Sequence, residues 1–301
     1  MKESIASHLL MIRPSAFSYN KQTALSNSFQ ENIKPKTGSI ADLAIAEFDK
    51  AVEILIGKNL LVGVLEDDLA LPDAVFPNNW FVTTNDCLVL CPMESELRRR
   101  ERNPNIIATI LNNFKVAEVI DLSAFESEGQ FLEGTGSMVF DRSNKCVFSS
   151  VSSRTDQKLL QEFSKLIDHE CLMFETVDRY GNPVYHTNVM MSIGNEVAVV
   201  CFDAIKLGTD KVRDRLKSFS KQIISISMDQ MENFCGNILQ VKNERNKFWL
   251  MSERAYKNFN PAQLDLISES GEIISIPLNV IEKCGGGSIR CMIAEIFLQP
   301  Q

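Results

Sequence analysis

One pattern recurs five times along this chain, and few folds can accommodate it. Two short apolar runs flank a turn rich in Asn, Asp or Gly; a helical stretch follows, and a single extended run ends the unit. In the first unit the apolar runs are 80–84 and 87–91 around Asn85-Asp86, the helical periodicity covers 105–114 and the extended run is 116–122. The second has 137–141 and 146–148, then 155–167 and 171–177; the third has 189–193 and 197–202, then 210–220 and 222–227. The fourth has 238–241 and 247–251, then 261–266 and 272–276. Two apolar runs around such a turn are the hairpin signal. The fifth unit must combine the chain ends: 290–298 would pair with 8–13, followed by a helix over 39–55 and a strand over 59–64. A period of roughly 50 residues means a solenoid or a closed ring. Joining the termini leaves no capping unit, so the pattern predicts one α/β domain over 1–301, a five-bladed α/β propeller with pseudo-fivefold symmetry. The competing arrangement is a two-domain α/β protein with open sheets.

The composition permits this and excludes much else. A chain of 301 residues, 45% hydrophobic, can build a sizeable core. Its 31 basic and 39 acidic residues give a net charge of −8, against the basic face that nucleic-acid binding needs. No apolar run approaches the roughly 20 residues of a membrane span, and the first twelve residues lack a signal-peptide core. The eight cysteines (87, 91, 146, 171, 201, 235, 284 and 291) form no CxxC pair. They read as free thiols, mostly buried, in a reducing cytoplasm. Three histidines, none spaced to a cysteine pair, argue against zinc. No metal or organic cofactor is expected.

In a ring, the starts of the hairpins converge on the axis. There the chain places Asp73 to Asn78-Asn79-Trp80, Phe131-Leu132-Glu133-Gly134, His186-Thr187-Asn188, Cys235-Gly236-Asn237 and the run Cys-Gly-Gly-Gly-Ser-Ile-Arg-Cys-Met at 284–292. Glycines let a ligand approach the backbone closely. Cys291, between that glycine run and an apolar strand-like stretch, is the candidate nucleophile, with His186 and Glu133 at equivalent points of the repeat. A lone histidine entering a strand is often structural, and His8 and His169 have no comparable support. Asn78 and Asn79 could equally form an Asx turn after Pro77.

These motifs resemble the guanidine-modifying penteins: arginine deiminases, dimethylarginine hydrolases and amidinotransferases. Phe-Leu-Glu-Gly-Thr-Gly-Ser (131–137), His-Thr-Asn (186–188) and Gly-Gly-Gly-Ser-Ile-Arg-Cys-Met (285–292) carry the resemblance. With Pro-Asn-Asn-Trp (77–80) and Met-Ile-Arg-Pro-Ser (11–15), they are most similar to the citrulline-utilisation hydrolases. The resemblance implies Cys291 as nucleophile, His186 as general acid/base, and Glu133 as the group that orients the imidazole and favours its cation. It implies Arg154, in Ser-Ser-Arg-Thr-Asp, as a ligand of the substrate α-carboxylate. A second such arginine would lie among Arg98 to Arg100, with Arg99 taken as the candidate.

Two departures bear on the substrate. Amides stand at Asn78 and Asn79, and at Asn188 in His-Thr-Asn, where the family's guanidinium site has carboxylates. A buried guanidinium without a carboxylate is an unpaired charge. Asparagines suit a neutral group that both donates and accepts, such as a ureido group. The expected ligand is therefore a small amino acid of the citrulline type, hydrolysed to ornithine, ammonia and carbon dioxide. Alternatives are an arginine or dimethylarginine hydrolase, an amidinotransferase, or a non-catalytic propeller, the last of which should lack the thiol, imidazole or carboxylate. Homo-oligomerisation is left open. The polar segment 16–36 reads as a surface loop, with a lid over the ring mouth as the alternative.

Overall fold

All five hairpins form, and each is extended by a third strand running parallel to its second. The computed structural model describes residues 4–35, 37–67 and 69–301. Phe81–Thr83 pairs antiparallel with Cys87–Leu90, which runs parallel to Glu118–Asp121. Val139–Asp141, Cys146–Ser150 and Glu170–Thr176 repeat the arrangement, as do Met191–Ile193, Val197–Val200 and Gln222–Ser225. Leu239–Lys242, Lys247–Ser252 and Glu272–Ile276 form the fourth sheet. The fifth uses both ends of the chain: Ala294–Ile296 pairs antiparallel with His8–Arg13, His8 opposite Ile296, and His8–Arg13 runs parallel to Leu61–Glu66.

A parallel third strand needs a crossover, and each unit supplies a helix with its own start signal. Ser39 caps Ile40–Gly57, Asn103 caps Pro104–Asn113 with Pro104 in its first turn, and Asp156 caps Gln157–Leu166. Gly208, at positive φ, precedes Thr209–Ser218, and Asn260 with Gln263 closes a capping box on Pro261–Ser268. The second strands are the most buried; Val197 to Val200 are all inaccessible, as is Trp249 on Lys247–Ser252. They read as continuous apolar runs for that reason.

The structure differs from the sequence pattern mainly where units begin. The stretches before the first strands are single helical turns: Pro77–Asn79, Gly134–Ser137 and Thr187–Met190. Cys291 likewise lies in a turn, its N–H donating to Ser288 O at 2.9 Å, and the strand starts only at Ala294. A fully buried turn and a fully buried strand show the same apolar run, so periodicity does not separate them. Beyond the five sheets, Ile205–Leu207 adds antiparallel to Glu170–Thr176 across a bulge, Phe114–Lys115 pairs antiparallel with Gln299–Pro300, and the helix Glu253–Asn258 follows the fourth hairpin.

The segment 16–36 is more than a surface loop. Lys36 lies outside the described residues, but Phe17, Asn20, Thr23 and Asn27 are buried. Asn27 Nδ2 donates to the carbonyls of Gly285 and Gly286, and Glu31 N donates to Lys283 O at 2.7 Å. The loop is thus fastened across the glycine run that leads to Cys291.

Candidate active site

Glu133 and His186 occupy the same point in successive units, each the residue before a one-turn helix. Both are buried, and His186 Nε2 lies 2.8 Å from Glu133 Oε2. Gly136 lets the two turns approach. A Cβ there would stand 2.4 Å from Asn79 Nδ2 and 2.7 Å from His186 Nδ1, too close for any side chain. Glu133 Oε1 accepts from Glu94 N at 3.0 Å, and Arg154 Nη1 lies 3.5 Å from Oε2.

The charges decide the protonation states. Burial pushes the Glu133 carboxyl up, but Arg154, the His186 hydrogen bond and Arg98 outweigh it and hold the pKa at about 2. Burial pushes the His186 imidazole down to about 4, and the pull of Glu133 only partly offsets burial and the neighbouring Arg154 and Arg98. Burial thus favours the neutral imidazole against the pull of Glu133, where the sequence reading expects an imidazolium. An ionised carboxylate only accepts, so the single ring proton sits on Nε2 and Nδ1 carries the free lone pair.

Cys291 is surrounded differently. Asn237 Nδ2 lies 3.3 Å from Sγ and Asn188 Nδ2 lies 3.6 Å away. Asn237 Nδ2 also donates to the backbone carbonyl of Asn188 at 2.9 Å, which ties the two residues together. Burial pushes the thiol pKa up; the two amides, the Ser288 backbone and Arg290 pull the other way without reversing it. Among the described residues, no hydrogen bond joins Cys291 to His186.

Cys291 and His186 line one narrow cavity of about 20 Å³, roughly one water's room. Asp73, Phe76, Asn79, Arg98, Arg154, Tyr185 and the glycine run also line it, as do Thr23 and Asn27 of the loop. Tyr185 Oη donates to Gly286 O at 2.7 Å, and the Arg154 guanidinium lies 4.9 Å from its ring centre. Arg154 is held by the loop, its Nη2 donating to Thr23 O at 2.9 Å and to Ser26 Oγ at 2.8 Å.

The three asparagines separate. Only Asn79 lines the cavity; Asn188 serves the sulfur, and Asn78 turns its Nδ2 to Thr135 Oγ1 at 3.2 Å. Nor is the pocket free of carboxylate. Asp73 Oδ2 accepts from Asn20 at 2.7 Å and Thr23 at 3.2 Å, while its buried Oδ1 has no partner among the described residues. Burial raises the Asp73 pKa against the pull of Arg98, Asn20, Arg154 and Thr23.

The arginine at the cavity is Arg98, not Arg99. Arg99 donates to Met93 O at 2.9 Å and to Glu94 O at 3.3 Å and lies over the Phe131 ring, outside the cavity wall. Arg98 is buried, donating from Nε and Nη2 to the two oxygens of Glu101, both at 2.8 Å. Burial pushes the Glu101 carboxyl up to about 7 against the pull of Arg98. Both oxygens accept from the guanidinium, which is the ionised arrangement. Glu101 had no signal in the sequence beyond its place in a charged run. Asn237 did have one, its position at the start of the fourth hairpin. Among the described residues, no group of three His, Cys, Asp or Glu is set to hold a metal ion.

A family model described as N,N dimethylarginine dimethylhydrolase, eukaryotic, matches residues 13–298. Among solved structures, the N-terminal domain of ArgZ, a cyanobacterial arginine dihydrolase bound to its substrate, superposes with a TM-score of 0.76 at 17% identity, covering 97% of this chain and 98% of that one. This chain spans only 41% of full-length ArgZ. AgrE bound to L-arginine matches with a TM-score of 0.74 at 18% identity over 96% of this chain and 40% of AgrE. A dimethylarginine dimethylaminohydrolase in adduct with S-methyl-L-thiocitrulline matches at 0.67 and 14% identity, covering 97% of this chain and all of that one. At these identities the likeness is one of fold, an α/β fold shared with the penteins. No curated protein matches the sequence.

Proposed function

The chain belongs to the N,N-dimethylarginine dimethylhydrolase family, whose members hydrolyse C–N bonds other than peptide bonds, and we propose that its substrate is a ureido amino acid of the citrulline type. The reading includes one closed five-bladed ring acting as a single domain. The fifth sheet, drawn from both chain ends, supports it.

The observation that carries the substrate reading is a pair of unpartnered buried atoms of opposite character on two residues that line the cavity. Asn79 Oδ1 accepts from Arg98 Nη1 at 2.8 Å. Arginine only donates, so the amide cannot be reversed, and Nδ2 is left as a buried donor without a partner among the described residues. Asp73 Oδ1 is the matching free acceptor. A ureido group offers a carbonyl oxygen to the first and N–H groups to the second. A guanidinium offers only donors and leaves the Asn79 donor unpaired, a buried polar group costing about 1–3 kcal/mol.

In the proposed reaction the Cys291 sulfur attacks the ureido carbon. The bare Nδ1 of His186 takes the proton released and passes it to the departing amine, while Glu133 holds the ring. The C–N bond to the ornithine nitrogen breaks and an S-carbamoyl enzyme remains. Water, deprotonated by Nδ1, cleaves the C–S bond to give carbamate, which decays to ammonia and carbon dioxide. The glycine run bounds the reacting carbon, although the Gly286 N–H is already committed to Glu282 O at 2.9 Å. The cavity is too small for an amino acid, and in the proposed reaction Thr23 and Ser26 leave Arg154, freeing that guanidinium for the α-carboxylate.

A second reading is favoured by Asp73, the carboxylate a guanidinium would meet: hydrolysis of arginine or a methylated arginine by the same groups. Incubation with citrulline, arginine and dimethylarginine separately, with Cys291→Ser as control, tests both by product chromatography. Ornithine from citrulline supports the ureido reading. Citrulline from arginine or dimethylarginine supports the second and overturns the first.

A further inference from the structure

We infer that Glu101, which lies behind the cavity wall, is a specificity-determining residue that acts through Arg98 on the amide of Asn79. The inference rests on the ureido reading above and names the device that enforces it.

Arg98 has five N–H groups, and four are directed. Nε and Nη2 donate to Glu101, Nη2 also donates to Phe76 O at 3.0 Å, and Nη1 donates to Asn79 Oδ1. Two parallel contacts to one carboxylate fix the plane of a guanidinium as well as its position. With that plane fixed, Nη1 presents a donor at one point only, and the Asn79 oxygen must face it. The polarity of the free end of Asn79 is thus set two residues away. Glu101 and Arg98 are each buried, so little water competes for either partner. Glu101 is absent from the wall of the catalytic cavity, while Arg98 and Asn79 form part of it.

The arrangement explains why an arginine at the cavity does not simply wait for a substrate carboxylate. Its outer edge is taken by Glu101 and Phe76, and what remains toward the pocket is the contact with Asn79. Asp73 lies 3.9 Å from Arg98 Nε and is not the group that orients it. If Glu101 releases Arg98, the amide can turn. Asn79 then offers its oxygen to the pocket, and beside Asp73 the wall becomes acceptor-rich, which suits a guanidinium.

The test is the ratio of kcat/KM for citrulline to that for arginine in the full-length enzyme and in Glu101→Gln. Gln keeps the size but puts an N–H donor against the guanidinium. The expected result is a fall of about tenfold or more in the ratio, the scale on which sites built to hydrogen-bond a substrate group discriminate. Arg98→Lys, which keeps the charge and loses the planar fork, should shift the ratio in the same direction and carries the test if the first variant does not fold. A merely structural role would lower both activities by one factor. An enzyme that prefers citrulline and variants that leave the ratio unchanged overturn this inference alone. An unmodified enzyme that prefers arginine overturns the ureido reading and this inference with it.

Discussion

His186 and Cys291 share a cavity yet stand in opposite surroundings. The imidazole sits against Glu133, with Arg154 and Arg98 close enough to shift both pKa values. The sulfur is touched by two neutral amides from different units, Asn188 and Asn237. Full charges in a buried place must be paired, and they hold geometry firmly once paired. Amides orient a sulfur without ionising it, and burial favours the neutral form of both the thiol and the imidazole. On the proposed mechanism, activation of the nucleophile accompanies substrate binding, when Nδ1 meets the reacting group.

The sharpest way to break this contrast is to remove either reacting group. Cys291→Ser should lower citrulline turnover by about 10⁴-fold or more, and His186→Gln by about 10²–10⁴-fold, with substrate binding retained in both. Single-turnover assays check this, and a comparable rate in either variant would remove that residue from the chemistry.

On the sulfur side, Asn237→Leu deletes a donor that favours the thiolate. Alkylation of Cys291 by iodoacetamide should then need a higher pH, with the rate at pH 8 lowered by about tenfold. In the unmodified enzyme that rate should still be rising at pH 9, because burial raises the thiol pKa. A plateau near pH 7 would mean a thiolate paired with an imidazolium, contrary to the geometry.

On the charged side the readout is stability. The folded-state pKa of His186 is depressed to about 4 from 6.5. Its contribution is fully present above pH 6.5 and is lost as pH falls towards 4, on the order of 2–3 kcal/mol. Urea midpoints should fall over that window, and His186→Gln should flatten the fall. The smallest effect is expected at Arg99, whose partners are Met93 O, Glu94 O and Glu126 rather than the cavity: Arg99→Ala should change kcat/KM by less than about twofold.

Much of this was legible in the chain because hairpins have a local signature and the repeat assigns equivalent points to distant residues. Glu133 and His186 come together because each precedes the same turn in successive units. What the repeat could not supply was direction. Arg98 and Arg99 are adjacent on the four-residue helix Glu96–Arg99, about 100° apart around its axis, and nothing in a charged run says which points inward. Asn78, Asn79 and Asn188 looked alike, yet a turn sends one to Thr135, one to the cavity and one to the sulfur. For segment 16–36 the sequence favoured a surface loop over a lid, because the segment's hold on the site runs through contacts to backbone carbonyls and single side chains, which leave no periodic trace.

The most direct test of the central claim is to give the enzyme citrulline labelled with ¹³C at the ureido carbon and follow that carbon by NMR. The account predicts that the label appears as bicarbonate in step with ornithine, and that Cys291→Ser forms neither. Citrulline left intact, while arginine is converted to citrulline under the same conditions, would contradict it.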